Sequence, residues 1–295
     1  MTVLAVDVGG TNLRAALVYD GAILGRASAT TDSAEVGPAV EGLVTDLLRT
    51  YPDQAPHAIG VGVPEYVDAG RVTSHEVVSW PPDAAARIAR VAASNDHPNV
   101  PVIIESDVRC GALAEHAALD DPDHASLLYI SWGTGLSSTF VLPGGHAWPG
   151  ARGEAIALGE WRDEHGRQLE DAASGRGIER AYAAATGASL DGIAVHVKAL
   201  GGDAAALEAF ERAGRLIGHA VRQLVHVLDP HVVVLGGGLG SADQLGWTGL
   251  LDELSGGHIR PSFPPVRPAR TGADAGLLGA ALFAERTAQP RDFWP

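Results

Sequence analysis

A few short stretches of this 295-residue chain carry residue types that could do chemistry. Asp7-Val8-Gly9-Gly10-Thr11 closes an apolar run with an acid and two glycines, and Gly133-Thr134-Gly135 sets a threonine between glycines at a second turn. Adjacent glycines weaken a strand unless something must come close to the backbone. Amide N–H groups bared at such a turn, with a threonine hydroxyl beside them, suit phosphate oxygens. Each turn taken alone reads equally as a plain hairpin. Gly236-Gly237-Gly238, after the run VVVL, is a third place where backbone lies open to a flat group such as a nucleotide base. Two acids accompany the glycines. Asp7 beside a phosphate would repel it unless a divalent ion lay between, so it acts through Mg²⁺ and its waters or else bonds the turn backbone. Asp107 follows the apolar run VIIE and opens a helical segment, as an N-cap or as a general base toward a hydroxyl. No G-x-x-x-x-G-K-[ST] loop occurs, and no G-x-G-x-x-G follows the first strand, which excludes the P-loop and leaves no Rossmann fingerprint there.

These residues need elements to hold them. Thr2–Val8, Leu13–Tyr19 and Ile23–Ala27 read as three antiparallel strands with a glycine-rich first turn. A helix over Val40–Thr50, a strand at Ala58–Val63 closed by Pro64, a strand at Val100–Glu105 and a helix over Asp107–Ala118 follow. At Leu127 the order restarts: LLYISWGTGLSSTFVLPGG repeats strand, Gly/Thr turn, strand and Gly turn, an internal duplication of architecture. Helices are expected at Leu169–Thr186, Ile193–Lys198 and Ala204–Leu228, then a strand in HVVVLGGGLG. The tail DAGLLGAALFAE predicts a helix with small residues on one face. The reading is α/β, with lobes 1–118 and 119–274 sharing a cleft and a C-terminal helix near 275–295 completing the first lobe.

Hydrophobic residues make up 46% of the chain and charged residues 19%, an ordinary globular balance. The net charge of −15 argues against non-specific binding to nucleic acid or to an anionic membrane. One cysteine, Cys110, precludes an internal disulfide and a Cys-rich zinc site. No apolar stretch approaches the ~18 to 20 residues of a membrane span, and the first residues lack a signal-peptide pattern. A cytoplasmic protein is expected.

Several pieces occur in one order: DVGGT with Arg14, GVGVP at Gly60–Pro64, V-x-A-G-R-V at Val67–Val72, IESD at Ile104–Asp107, WGTG, LEDAASGRGI at Leu169–Ile178, LDPHVVVLGGG and DAGLLGAA. Together they resemble the ROK family of bacterial sugar kinases and repressors, within the actin/Hsp70/hexokinase-like superfamily. The resemblance implies a two-lobed, ribonuclease H-like ATPase fold, ATP and Mg²⁺ as cofactors, a small-molecule sugar substrate and a homodimer. The chain starts at the first phosphate strand, without a helix-turn-helix ahead of it, which implies the kinase branch. Asp7, Gly9, Gly10 and Thr11 then fall on the first phosphate motif, Gly133, Thr134 and Gly135 on the second, and Gly236, Gly237 and Gly238 on the adenosine motif. Asp107 falls on the general base toward the sugar hydroxyl, and Glu170 on a glutamate that binds the sugar ring.

The chain also departs from the family's pattern. Ser106 stands where an asparagine is usual, and Glu65 where many members have the last glycine of G-x-P-G. The sugar-binding E-x-G-H aligns either with Ala157-Leu158-Gly159-Glu160 or, shifted, with Glu154 as its glutamate. The family's zinc motif is absent, so His165 is expected in a surface loop and no structural zinc is expected. Glu65, Glu160 and Glu154 would add negative charge around the sugar, which an ammonium would offset. The alternative is that they face solvent. The expected activity is ATP-dependent phosphorylation of a primary hydroxyl, O6 of a hexose, with an amino sugar aminated at C2 or C3 favoured. The alternatives are a plain glucokinase, an aminocyclitol kinase and a non-catalytic sugar sensor.

Overall fold

The computed structural model describes residues 1–163, 165–241, 245–256 and 263–288. It divides into two compact units: Met1–Ala118 with Ala147–Ala155 and the stretch from Ala273, and Leu119–His146 with Ile156–Gly272.

Unit 1 runs β1 (Thr2–Val8), β2 (Asn12–Tyr19), β3 (Ala22–Thr30), α1 (Val36–Thr50), β4 (Ala58–Val63), β5 (Val67–Asp68), β6 (Arg71–Val72), α2 (Ala84–Ser94), β7 (Val102–Ser106) and α3 (Asp107–Ala117). Its sheet has the order β3-β2-β1-β4-β7, antiparallel through β2 and β3 and parallel from β1 to β7. The near-continuous apolar runs of β1 and β4 fit strands buried on both faces. Strand alternation sends Leu4, Val6 and Val8 toward Leu43, Val44 and Leu47 of α1 and Ile88 of α2. Val3 and Ala5 point the other way, toward Cys110.

Unit 2 contains β8 (Leu127–Trp132), β9 (Leu136–Leu142), β10 (His146–Ala147), α4 (Leu169–Ala173), α5 (Gly175–Thr186), α6 (Gly192–Leu200), α7 (Ala204–Leu228), β11 (Val232–Gly236), α8 (Gly237–Ser241), α9 (Leu245–Ser255) and β12 (Val266–Pro268). Its sheet order, β10-β9-β8-β11-β12, matches that of unit 1 position for position, the duplication that the repeated strand-and-turn order predicts. Asp203 caps α7 by accepting from the amides of Ala205 and Ala206, both at 3.0 Å. Its buried face, including Phe210, Ile217 and Val221, supports the sheet.

The last described helix, α10 (Ala275–Ala288), returns to unit 1. Its small residues let it lie directly on the sheet and on α3. Gly279 packs against the Cys110 carbonyl and Gly60 against the Ala280 carbonyl, and neither leaves room for a Cβ. The part of the expected C-terminal helix beyond 288 lies outside the described residues.

Several boundaries differ from expectation. The single helix expected over Leu169–Thr186 is two, because Ser174 is extended (φ −73°, ψ 173°) and its hydroxyl accepts from the Gly177 amide at 3.2 Å. The third strand runs to Thr30, longer than the Ile23–Ala27 expected. Helices α2 and α9 and the β5–β6 hairpin were not expected at all.

Candidate active site

In unit 1 the parallel strands β1, β4 and β7 end side by side. Their register pairs Asp7 with Gly62, Gly62 with Glu105, and Val63 with Ser106. Asp7, Glu65 just past β4, and Ser106-Asp107 therefore gather at one edge of the sheet, the carboxyl edge where open α/β sheets receive ligands. Ahead of them the first glycine turn is tied tight: the Gly9 amide donates to Asn12 O at 3.0 Å and the Thr31 hydroxyl to Gly9 O at 2.7 Å. Gly10 and Thr11 are exposed at its tip.

Asp7 is buried and bonded to the Arg14 guanidinium. The two are register partners across the β1–β2 hairpin. Burial pushes the Asp7 carboxyl above its ordinary range, and Arg14 pulls it back. Asp7 thus meets a protein cation directly, a partner that residue type alone did not reveal. Among the described residues no three His, Cys, Asp or Glu side chains gather to hold a metal ion. Asp7 and Asp107 are the acids at this edge that could face a phosphate-borne Mg²⁺ ion through water.

Asp107 opens α3, with Ser106 in the N-cap position. Ser106 is buried and makes no side-chain capping bond. The Val108 amide donates to Asp107 Oδ1 at 2.6 Å. The Asp107 carboxyl is pushed up to about 7, first by burial and then by the negative charge of Asp7, against the Val108 hydrogen bond and with a further push from Glu65. A carboxylate poised near neutrality at a strand-to-helix junction has the properties of a general base.

Beneath it lies a buried ion pair absent from the expected site. Arg109 meets Glu105 at 2.5 Å and also bonds the Val67 carbonyl, fixing α3 to β5. Burial raises the Glu105 carboxyl; Arg109 and the Ser106 amide oppose that. The signal available in the sequence was the i,i+4 spacing of opposite charges across the strand–helix junction.

Glu65 corrects an expectation. Instead of facing substrate hydroxyls, its carboxylate is filled by protein donors. Oε1 accepts from the amides of Val77 (2.7 Å) and Val78 (2.8 Å); Oε2 accepts from the Ser74 hydroxyl (2.5 Å) and the Glu76 amide (2.8 Å). Burial would raise this carboxyl, but the Ser74 hydroxyl and the three amides outweigh it and hold Glu65 below its ordinary value. Glu154, also in unit 1, is half exposed and lies 3.5 Å from Arg152. It is not among the acids that flank Asp107.

In unit 2 the same strand logic joins the second glycine turn to the glycine triplet. Gly236 is the register partner of Ser131, so the ends of β8 and β11 are adjacent. A Cβ on Gly133 would lie 3.5 Å from the Gly238 nitrogen. The turn closes through Gly133 N to Gly135 O (3.0 Å), and the Gly175 amide at the start of α5 donates to Gly133 O at 2.7 Å. A cavity of about 450 Å³ opens there, lined among others by Gly133, Thr134, Gly175, Gly238, His196 and Phe210. Its volume is that of a small-molecule pocket.

Of the triplet, only Gly238 lines this cavity. Gly236 is buried in β11 against the Tyr129 ring, and Gly237 has φ +76° with no space for a Cβ, which would stand 2.5 Å from the Trp132 carbonyl oxygen. Those two glycines build the wall instead of touching its contents. Gly135 likewise sits beneath, against Glu170. Glu170 accepts from the Leu136 amide at 2.8 Å through Oε2, so at least half of this carboxylate holds the second turn. Glu160 is exposed at the end of a 3-10 turn (Leu158–Glu160). His165 lies in an exposed turn beside Asp163, whose Oδ1 accepts its amide at 2.9 Å. The start of α6 was not expected to take part, yet Asp191, Gly192, Ile193 and His196 all border the cavity. Glu179 of α5 fixes that start, accepting the Gly192 amide at 2.6 Å.

Comparison with known proteins places the chain among sugar kinases. The chain is 30% identical over 300 residues to an N-acetylmannosamine kinase of Shigella flexneri, covering 97% of this chain and 99% of that one. It is 31% identical over 288 residues to the bifunctional enzyme NanE/NanK of Brucella melitensis; the match takes in 96% of this chain but only 54%, about half, of that longer protein. The solved structure of a ROK family glucokinase from Streptomyces griseus, in complex with glucose and AMPPNP, superposes with a TM-score of 0.77 at 26% identity, covering 97% of this chain and 100% of that one. The ROK family pattern itself matches residues 3–287, and the chain belongs to the ROK family.

Proposed function

We propose that this chain is a sugar kinase that moves the terminal phosphoryl group of ATP to a primary hydroxyl of a hexose, with Asp107 as the general base. The observation that carries the reading is the placement of Asp107: a half-buried carboxylate at the joined ends of three parallel strands, beside Asp7, with its carboxyl pushed up to about 7 by desolvation and the Asp7 charge. The family's kinases, and a glucokinase relative that binds glucose and AMPPNP, support ATP as the donor. The glycine-lined cavity of unit 2 is the site we assign to its nucleoside. The sugar oxygen attacks phosphorus in line as Asp107 takes its proton, and the bond to the ADP oxygen breaks, ADP leaving with the electron pair. Little covalent work falls to the protein; it positions the reactants and offsets charge. Asp7 is the residue that would hold a phosphate-borne Mg²⁺ through water, and such an ion would supply further charge neutralisation.

The substrate reading changes with the acids. Glu65 keeps its charge, but its oxygens are taken by donors of its own chain, and Glu154 sits beside Arg152, so neither carboxylate has oxygens turned to a substrate ammonium. An uncharged hexose or an N-acylated hexosamine suits the site better than a free amine. Similarity to an N-acetylmannosamine kinase at 30% identity supports the N-acyl member of that pair. The test is ADP release with Mg·ATP across N-acetylmannosamine, N-acetylglucosamine, glucose, glucosamine and 3-amino-glucose. The highest kcat/KM is expected for an uncharged sugar; a free amine ahead of its N-acetyl form would reverse the substrate reading, and no sugar-dependent ADP release would end the kinase reading.

A further inference from the structure

We propose that Glu65 is a positioning residue for the acceptor sugar: its carboxylate clips the segment Ser74–Val78 in place beside Asp107 and the first glycine turn. The inference rests on Asp107 being the base. Glu65 stands two residues past β4, whose last residue is the register neighbour of Ser106. From there it takes three consecutive amides, those of Glu76, Val77 and Val78, together with the Ser74 hydroxyl. Successive amides turned toward one point form a nest for an anion, and here the anion is supplied by the chain itself. Ser74 extends the link, since its Oγ also accepts the Tyr66 amide at 2.9 Å. The clip reaches the first turn through Val77, whose Cγ1 would lie 3.1 Å from a Cβ on Gly10. Behind the nest Val78 and Trp80 are buried in the core of unit 1, and ahead of it the Thr73 amide donates to Tyr66 O at 2.9 Å; between these two anchors Glu65 holds the segment.

A carboxylate with four donors has few equivalents. Glutamine in its place would turn an NH₂ group toward amides that already donate, and glycine would leave the nest empty for a small free carboxylate to enter. Small displacements beside a reacting group have large kinetic effects, so the loss should appear in sugar binding. For Glu65→Gly and Glu65→Gln we expect the KM for the sugar to rise about tenfold, with the KM for ATP changed less than about threefold. Formate should restore a good part of the loss in Glu65→Gly and none in Glu65→Gln. Hydrogen exchange of the peptide covering Ser74–Val78 should speed up in Glu65→Gly and slow again with formate. Unchanged exchange in Glu65→Gly overturns the clip whatever the activity. Equal loss for sugar and ATP, or loss that formate does not touch, overturns its role in placing the acceptor. A wild-type chain that turns over no sugar would sink the kinase reading and this positioning role with it, and the exchange result would then report only a loop anchor.

Discussion

Replacing Asp107 with Asn should abolish most turnover and at the same time stabilise the protein, in a manner that depends on pH. In the folded chain this carboxyl titrates near 7, against 3.8 for an ordinary aspartate. Between those two pH values the folded form holds a proton that the unfolded form has released. Stability therefore falls as pH rises through that window, by about 1.4 kcal/mol per pH unit at most, and levels off above 7. At pH 8 the accumulated cost approaches ~4 kcal/mol, and an effective value of about half that allows for water and relaxation around the group. Asparagine keeps the oxygen that accepts from Val108 and never ionises, so it escapes the cost. Thermal unfolding followed by circular dichroism at pH 4.5 and pH 8 is the assay. At pH 8 the variant should melt about 3 °C above wild type; at pH 4.5 the gap should shrink to about 1 °C or less. Turnover at pH 8 should meanwhile fall at least ~10²-fold. A stability gap that is the same at both pH values, or that favours wild type at pH 8, would refute the argument that burial and the charge of Asp7 hold this carboxyl near neutrality.

The wild-type kcat/KM for the sugar should decline below about pH 7, approaching tenfold per pH unit, as Asp107 gains its proton; a rate constant flat from pH 7 to 5 would dismiss Asp107 as the base. Arg109→Met leaves Glu105 buried without its cation and should cost about 3 kcal/mol at pH 8, with a smaller cost at pH 5, where Glu105 can protonate; equal chemical-denaturation midpoints for variant and wild type would contradict the buried pair. Gly237→Ala forces a side chain onto a backbone of φ +76° and toward the Trp132 carbonyl, so ATP binding measured by calorimetry should weaken at least ~10-fold, and unaltered affinity would detach this glycine from the nucleotide wall.

Much of this was legible because apolar runs and turn residues agreed. Ala58–Val63 and Ala204–Leu228 fall where the sequence places them: one is a short apolar run closed by Pro64, the other a long periodic helix between a capping Asp203 and Asp229-Pro230. Helix α2 has a clear period, with Ala84, Ile88 and Ala92 buried at four-residue spacing, but AAARIARVAAS is short and weakly apolar overall, so no apolar run marks it in the sequence. Helix α9 was hidden by its glycines, which serve close packing against α7. The glycine turns and Asp107 could be located from type and order, since phosphate contact and proton transfer demand those groups. The roles of the glutamates could not. What Glu65 does is decided by a hydroxyl nine residues and amides eleven to thirteen residues downstream, and nothing in the letters shows where those donors point. Asp7 and Arg14 meet through hairpin register, so that pair becomes visible only once the pairing of β1 with β2 is known.

Helix α10 has one more consequence, which concerns manufacture. The sheet built from the first strands made is covered on its Val3 and Ala5 face by a helix that lies beyond the whole of unit 2 in the chain. At typical rates of synthesis roughly ten to thirty seconds pass between Ala118 and Ala275 leaving the ribosome. Through that interval Val3, Ala5, Ala16 and Ala58 wait without their partner, an apolar surface for a chaperone or for a neighbouring nascent chain to find. A ribosome that stalls anywhere in unit 2 therefore releases no finished half of the protein, because the earliest part to be made is the last to be completed.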